Sequence, residues 1–96
     1  MATPLHPSDE PLTPERLQDA YDAMRRTFAS NLRRIRKERG FKSYGAALGL
    51  GVSTSTWGRW ESAQRFPTLP LLAGIALLLQ TPVADFFADI PPEEPE

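Results

Sequence analysis

Residues 49–62 read GLGVSTSTWGRWES: a glycine turn, a run of hydroxyls, then two tryptophans three apart with an arginine between them. Gly51 can take the positive φ of a tight turn. Ser53 suits a helix N-cap, because its hydroxyl can accept from a backbone N–H that has no partner in the first turn. Trp57 and Trp60 share a helical face. A helix starting at Ser53 therefore buries its two largest residues on one side and keeps small polar residues on the other. The preceding SYGAALGL, with Ser43 as the expected cap, sets Ala46, Ala47 and Leu50 on one face. Ala47 is small enough to let two short helices meet closely.

Working outward, Thr13-Pro14-Glu15 is a helix start, with a hydroxyl cap, a proline whose missing N–H costs nothing there, and an acid near the positive helix end. Leu17, Tyr21, Met24, Phe28, Leu32 and Ile35 follow at steps of four and three, one apolar stripe on a continuous helix that can run to Arg39 and stop at Gly40. The alternative is a break at Ala29, with Ser30 capping a second helix. Downstream, Pro67 and Thr68 precede a helix from Leu69 to about Gln80, and Thr81-Pro82 repeats the cap-and-proline start for a short helix ending near Phe87. No segment alternates with period two, so the expected class is all-α. The expected organisation is a disordered tail at 1–12, an N-terminal helical extension at 13–27, a helical domain at 28–88 and an acidic proline tail at 89–96.

The chain of 96 residues has room for one compact domain. It contains no cysteine, which removes disulfides and thiolate metal sites from consideration. The single histidine, His6, has no partner at a metal-binding spacing, so neither a metal nor a cofactor is expected. No nucleophile, base and orienting group occur together, and no enzyme is expected. With neither a signal peptide nor an apolar run of membrane-spanning length, the expected location is the cytoplasm. The net charge of −1 conceals a segregation. Residues 1–24 carry five acids and one base, residues 25–65 carry ten bases and two acids, and residues 66–96 carry five acids and no base. A block of net +8 between two acidic ones is the footprint of a face that binds a polyanion.

Two short helices joined by a glycine turn form a helix-turn-helix. The stretch from Phe28 to Phe87, carried by NLRRIRKERG, AALGLGVSTSTWGRWE, the Pro67-to-Leu69 step and PVADFF, resembles the lambda-repressor-like (Cro/cI, XRE) helix-turn-helix family. The resemblance implies a five-helix DNA-binding domain, here with an additional or extended N-terminal helix. It also implies a recognition helix from Ser53 to about Glu61 in the major groove of double-stranded DNA, with Thr54, Ser55, Gly58 and Arg59 facing the bases. Arginine can present two donors to guanine O6 and N7, and threonine or serine can bond a base edge or a phosphate. Phosphate contacts are expected from Arg33, Arg34, Lys37, Lys42, Ser43, Ser62 and Arg65. Arg36 and Glu61 stand where many relatives carry an internal ion pair that clamps the first helix onto the recognition helix.

Some positions depart from the family pattern. Ser43 stands where glutamine is frequent, and Ala63 where glycine usually gives the recognition helix a left-handed end. Ala46 and Trp57 read as a compensating exchange for leucine and a β-branched aliphatic. Gly58, costing about 1 kcal/mol relative to alanine in a helix, fits either a close approach of DNA or a need for space beside the tryptophans. The fourth helix is more apolar than one core needs. Leu69, Leu72, Ala76 and Leu79 form the expected core stripe, and Leu71, Ile75, Leu77 and Leu78 an additional surface. With Leu17, Tyr21 and Met24 they are candidates for a homodimer interface. The expected function is a sequence-specific transcriptional regulator, a repressor binding an inverted-repeat operator as a homodimer. The alternative is an antitoxin that binds a toxin protein and regulates its own operon.

Overall fold

The computed structural model describes residues 11–89, which form four α-helices and one 3-10 helix with no strand. The proposed tails, His6 and the PPEEPE end lie wholly or mostly outside these residues. Helix α1 spans Pro14–Glu38, α2 Ser43–Leu50, α3 Thr54–Glu61 and α4 Leu69–Leu78, and the 3-10 helix η1 spans Val83–Phe87. No described helix is long and apolar enough to cross a membrane.

Helix α1 is continuous through Ser30, so its apolar stripe prevails over the possible break at Ala29. Thr13 caps it, its hydroxyl accepting from the Arg16 N–H at 3.1 Å. The second half of the stripe, Phe28, Leu32 and Ile35, is buried in one core with Ala46, Ala47, Trp57, Trp60, Leu72, Ile75, Leu79 and Phe86. The first half, Leu17, Tyr21 and Met24, remains substantially exposed. Below it, Phe28 meets Phe66 edge-on at 4.9 Å and Phe87 at 5.5 Å, an aromatic cluster that closes the C-terminal end of the fold onto α1. Across the core, α2 and α4 interlock leucine over glycine. A Cβ added at Gly49 would meet a Leu78 methyl at 2.9 Å, and one at Gly74 a Leu50 methyl at 2.7 Å.

All four helices terminate the same way, with a left-handed residue that turns the chain back to cap the final carbonyls. Those residues are Gly40 (φ 83), Gly51 (φ 81), Ala63 (φ 64) and Gln80 (φ 50). The next N–H then reaches back into the helix: Phe41 to Arg36 O at 3.1 Å, Val52 to Ala47 O at 3.0 Å, Gln64 to Arg59 O at 2.9 Å, and Thr81 to Ala76 O at 3.0 Å. The left-handed end of α3 thus forms without glycine.

Two arginines of α1 and its C-cap residue, Arg39, brace three of these turns. Arg36 donates to Phe41 O at 2.8 Å, Arg25 to Gln64 O at 3.2 Å and Arg39 to Leu79 O at 2.8 Å.

Several sequence expectations need correction. Ser43 is the first residue of α2 rather than its cap; Lys42 is the cap residue, with no side-chain bond, because the Gly40 turn ends at Phe41. Thr81 does not cap η1, whose cap position is Pro82. Its buried hydroxyl donates to Leu79 O and accepts from Arg39 instead. Helix α4 ends at Leu78, since Gln80 already adopts the left-handed turn. On that helix the buried line is Leu72, Ile75 and Leu79, spaced three and four apart, whereas Leu69 is exposed. Ile75 is fully buried and cannot belong to an outer patch. Leu71 and Leu78 are half-buried against the core, which leaves Leu77 as the most exposed of the proposed α4 contact residues.

Asn31 was not singled out from sequence and turns out to be wholly buried. Its amide donates to Phe86 O at 3.0 Å and Ala88 O at 2.8 Å, and its carbonyl accepts from Arg34 at 2.9 Å. It latches η1 to α1. Asn31→Ala leaves these carbonyls without their donor, and each buried unsatisfied group costs roughly 1–3 kcal/mol. We expect a loss of about 2 kcal/mol in urea unfolding, against little change for Ser30→Ala on the exposed face of the same helix.

Candidate nucleic-acid interface

Helix α3 is capped by Ser53, whose hydroxyl accepts from the Thr56 N–H at 3.0 Å. Its inward side carries Trp57 and Trp60, both buried, with ring centroids 5.6 Å apart. Thr54, Ser55, Gly58 and Arg59 are exposed. A Cβ at Gly58 would meet nothing within 4 Å, so the tryptophans do not demand the glycine. Within the chain, that position could hold a side chain.

The rotation of α3 is set by a buried charge network. Arg36 Nε lies 2.5 Å from Glu61 Oε2 and its Nη2 lies 3.2 Å from Oε1, a two-pronged pair. The two side chains are only 8% and 11% exposed. Trp57 adds a third bond, its indole N–H donating to Glu61 Oε2 at 2.6 Å. This role was not foreseen from sequence. Any aliphatic residue at 57 would lose it, so the exchange of Ala46 and Trp57 against the family pattern involves hydrogen bonding as well as volume.

Apart from Arg16, the remaining cations divide into two groups. Arg25, Arg34 and Arg39 are engaged within the chain, Arg34 with Glu38 at 3.2 Å and with Asn31. Arg26, Arg33, Lys37, Lys42, Arg59 and Arg65 are exposed, and their side chains make no hydrogen bond or ion pair among the described residues. Of the proposed phosphate contacts, therefore, Arg33, Lys37, Lys42 and Arg65 are available, while Arg34 is tied down. Ser43 is half-buried at the start of α2, and the Ser62 hydroxyl donates to Arg59 O at 3.3 Å. Near the start of the chain, hydrogen bonds from Gln18 and Arg25 hold the Asp22 carboxyl below its ordinary pKa. No group of His, Asp or Glu able to hold a metal ion occurs among the described residues.

A family model described as a helix-turn-helix domain matches residues 27–86. The chain belongs to that family, in agreement with the resemblance of Phe28–Phe87 to lambda-repressor-like domains, and the membership implies DNA binding. No curated protein matches the chain.

Two stability outcomes follow from this geometry. Glu61→Ala strands the Arg36 guanidinium and the Trp57 N–H together, and loss of one partner from a buried pair costs about 3–5 kcal/mol, read as a fall in the urea midpoint. Ala63→Gly acts oppositely. An alanine in left-handed conformation costs roughly 1–2 kcal/mol, while glycine gives back up to about 1 kcal/mol through its freer unfolded chain. The variant should gain up to about 1 kcal/mol, and a destabilised variant would mean the turn carries no strain.

Proposed function

We propose that this helix-turn-helix protein is a sequence-specific double-stranded DNA-binding regulator of transcription, a repressor that occupies an inverted-repeat operator as a homodimer. The observation carrying this reading is the division of α3. One side is anchored by Trp57, Trp60 and Glu61, and the other presents Thr54, Ser55, Gly58 and Arg59 to solvent. A helix held that way, in a chain with exposed cations that make no internal bond, suits the major groove, with Arg59 reading a guanine and Arg33, Lys37, Lys42 and Arg65 engaging phosphates.

Gly58 supports the same reading. It lowers the helix propensity of α3 without serving any internal contact, which makes sense if DNA comes too near for a side chain. Homodimer formation would use the exposed Leu17, Tyr21 and Met24 of α1 or Leu77 of α4. Such a dimer sets two recognition helices on successive major grooves about 34 Å apart.

Selection of bound duplexes from a randomised pool at physiological salt tests this directly. The expected product is an inverted repeat with half-sites one helical turn apart; enrichment of no sequence by the folded protein would reject the sequence-specific reading. On the selected duplex, Arg59→Ala should weaken binding by about 1–3 kcal/mol and relax the preference at one base position, with less change on random DNA. Gly58→Ala should raise thermal stability, by about 1 kcal/mol on helix propensity, yet weaken DNA binding. A variant that gained stability and kept full affinity would show that DNA does not approach Gly58 closely.

A further inference from the structure

Arg25 lies just outside the residues that match the family, on the part of α1 that precedes the helix-turn-helix domain. It is nevertheless held by several contacts. Its Nη2 bonds Asp22 Oδ1 at 2.5 Å, its Nη1 bonds the backbone oxygen of Gln64 at 3.2 Å, and the guanidinium carbon lies 5.0 Å from the centre of the Tyr21 ring. Its Nε is buried with no hydrogen-bond partner, so the side chain gives up hydration to reach this place. Tyr21 in turn meets Phe66 edge-on at 6.4 Å. The N-terminal half of α1 thus grips both ends of the segment 64–66 that leaves the recognition helix.

What it grips is strained and sits among proposed DNA contacts. Ala63 is left-handed, the Gln64 and Arg65 N–H groups both reach back to Arg59 O, at 2.9 and 3.2 Å, and the Ser62 hydroxyl donates to the same oxygen. A turn built on a left-handed alanine favours its native shape less than a glycine turn would, and an external bond to its carbonyl offsets that deficit. Holding the turn before DNA arrives removes an ordering cost from binding.

We infer that Arg25 is a positioning residue for DNA binding: it locks the turn after the recognition helix so that the Arg65 side chain is preset against the phosphate backbone. The N-terminal half of α1 thereby becomes part of the DNA-binding unit. This rests on the DNA-binding reading given above. Arginine is required because its planar fork reaches Asp22 and the Gln64 carbonyl at once, whereas a lysine is a single point charge. Direct phosphate contact is the competing role, and it would be retained by lysine.

The test is a double-mutant cycle on the full chain with Arg25→Lys and Arg65→Ala, read as affinity for one fixed duplex at constant salt. Amide hydrogen exchange is followed alongside. Arg25→Lys should weaken binding about tenfold, the scale of one charge-assisted hydrogen bond. In the Arg65→Ala background it should cost much less, because it acts through that residue. The Gln64 and Arg65 amides should exchange faster, with Ile75 in the core unchanged. Asp22→Asn, which keeps Arg25 but weakens its anchor, should shift affinity and exchange in the same direction. Full affinity in Arg25→Lys, additive losses with Arg65→Ala, or unchanged protection of the turn would each overturn the inference. Wild-type protein that binds no duplex would instead sink the DNA-binding reading, while the exchange measurement still decides whether Arg25 braces the turn.

Discussion

The arrangement of α3 depends on the Arg36 guanidinium. From the last turn of α1 it bonds the Phe41 carbonyl in the turn that leads to α2 and both carboxylate oxygens of Glu61 at the end of α3. Glu61 also receives the indole N–H of Trp57, one helical turn earlier. A helix of eight residues has little rotational preference of its own, and apolar packing is non-directional. Glu61, bonded to the anchored Arg36 charge and braced within α3 by Trp57, supplies the missing direction. A buried pair of this kind contributes little net stability compared with well-packed apolar residues. Its contribution here is orientation: with Trp57 and Glu61 turned inward, the exposed side of α3 is determined.

Arginine serves a second structural purpose along α1. Helix C-termini leave carbonyls unpaired and carry partial negative charge, which a cation can satisfy. Arg36, Arg25 and Arg39 donate to the C-terminal turns of α1, α3 and α4, respectively. The α3 and α4 turns carry a left-handed alanine and glutamine in place of glycine. A 25-residue helix is about 37 Å long at 1.5 Å per residue, long enough to reach turns far apart in the chain. It therefore works as a spine whose cations fasten the ends of shorter helices.

This explains what the sequence could and could not disclose. Periodicity and cap chemistry located α1, the caps at Thr13 and Ser53, and the glycine turns at Gly40 and Gly51, because those signals are local. The burial of Trp57 and Trp60 also followed from spacing. The assignments on α4 did not, since almost every residue there is apolar and no period separates a core face from an outer one; only the contacts with Gly49 and Leu50 decide. Asn31, Arg25 and Arg39 were equally illegible. Each bonds backbone atoms 39 to 57 residues away, and a backbone carbonyl leaves no mark in composition. Charge counting located a basic block but could not divide it into cations held internally and cations left free.

That division changes how the electrostatics should be read. The outer side of α1 carries Glu15 and Asp19 in its first half and Arg26, Arg33 and Lys37 in its second, all exposed. Charges in water are screened over about 8 Å at physiological salt, far less than the length of the helix, so its two halves act on a ligand independently. A polyanion near the second half meets mainly attraction, because the one exposed acid there, Glu38, is paired with Arg34, and one near the first half meets mainly repulsion. A whole-chain charge of −1 is therefore no obstacle to binding DNA. In the proposed complex α1 would lie with its C-terminal half toward the phosphates and its first turns, with Glu15 and Asp19, turned away. In that proposed orientation the exposed Leu17, Tyr21 and Met24 would stay clear of DNA bound at α3.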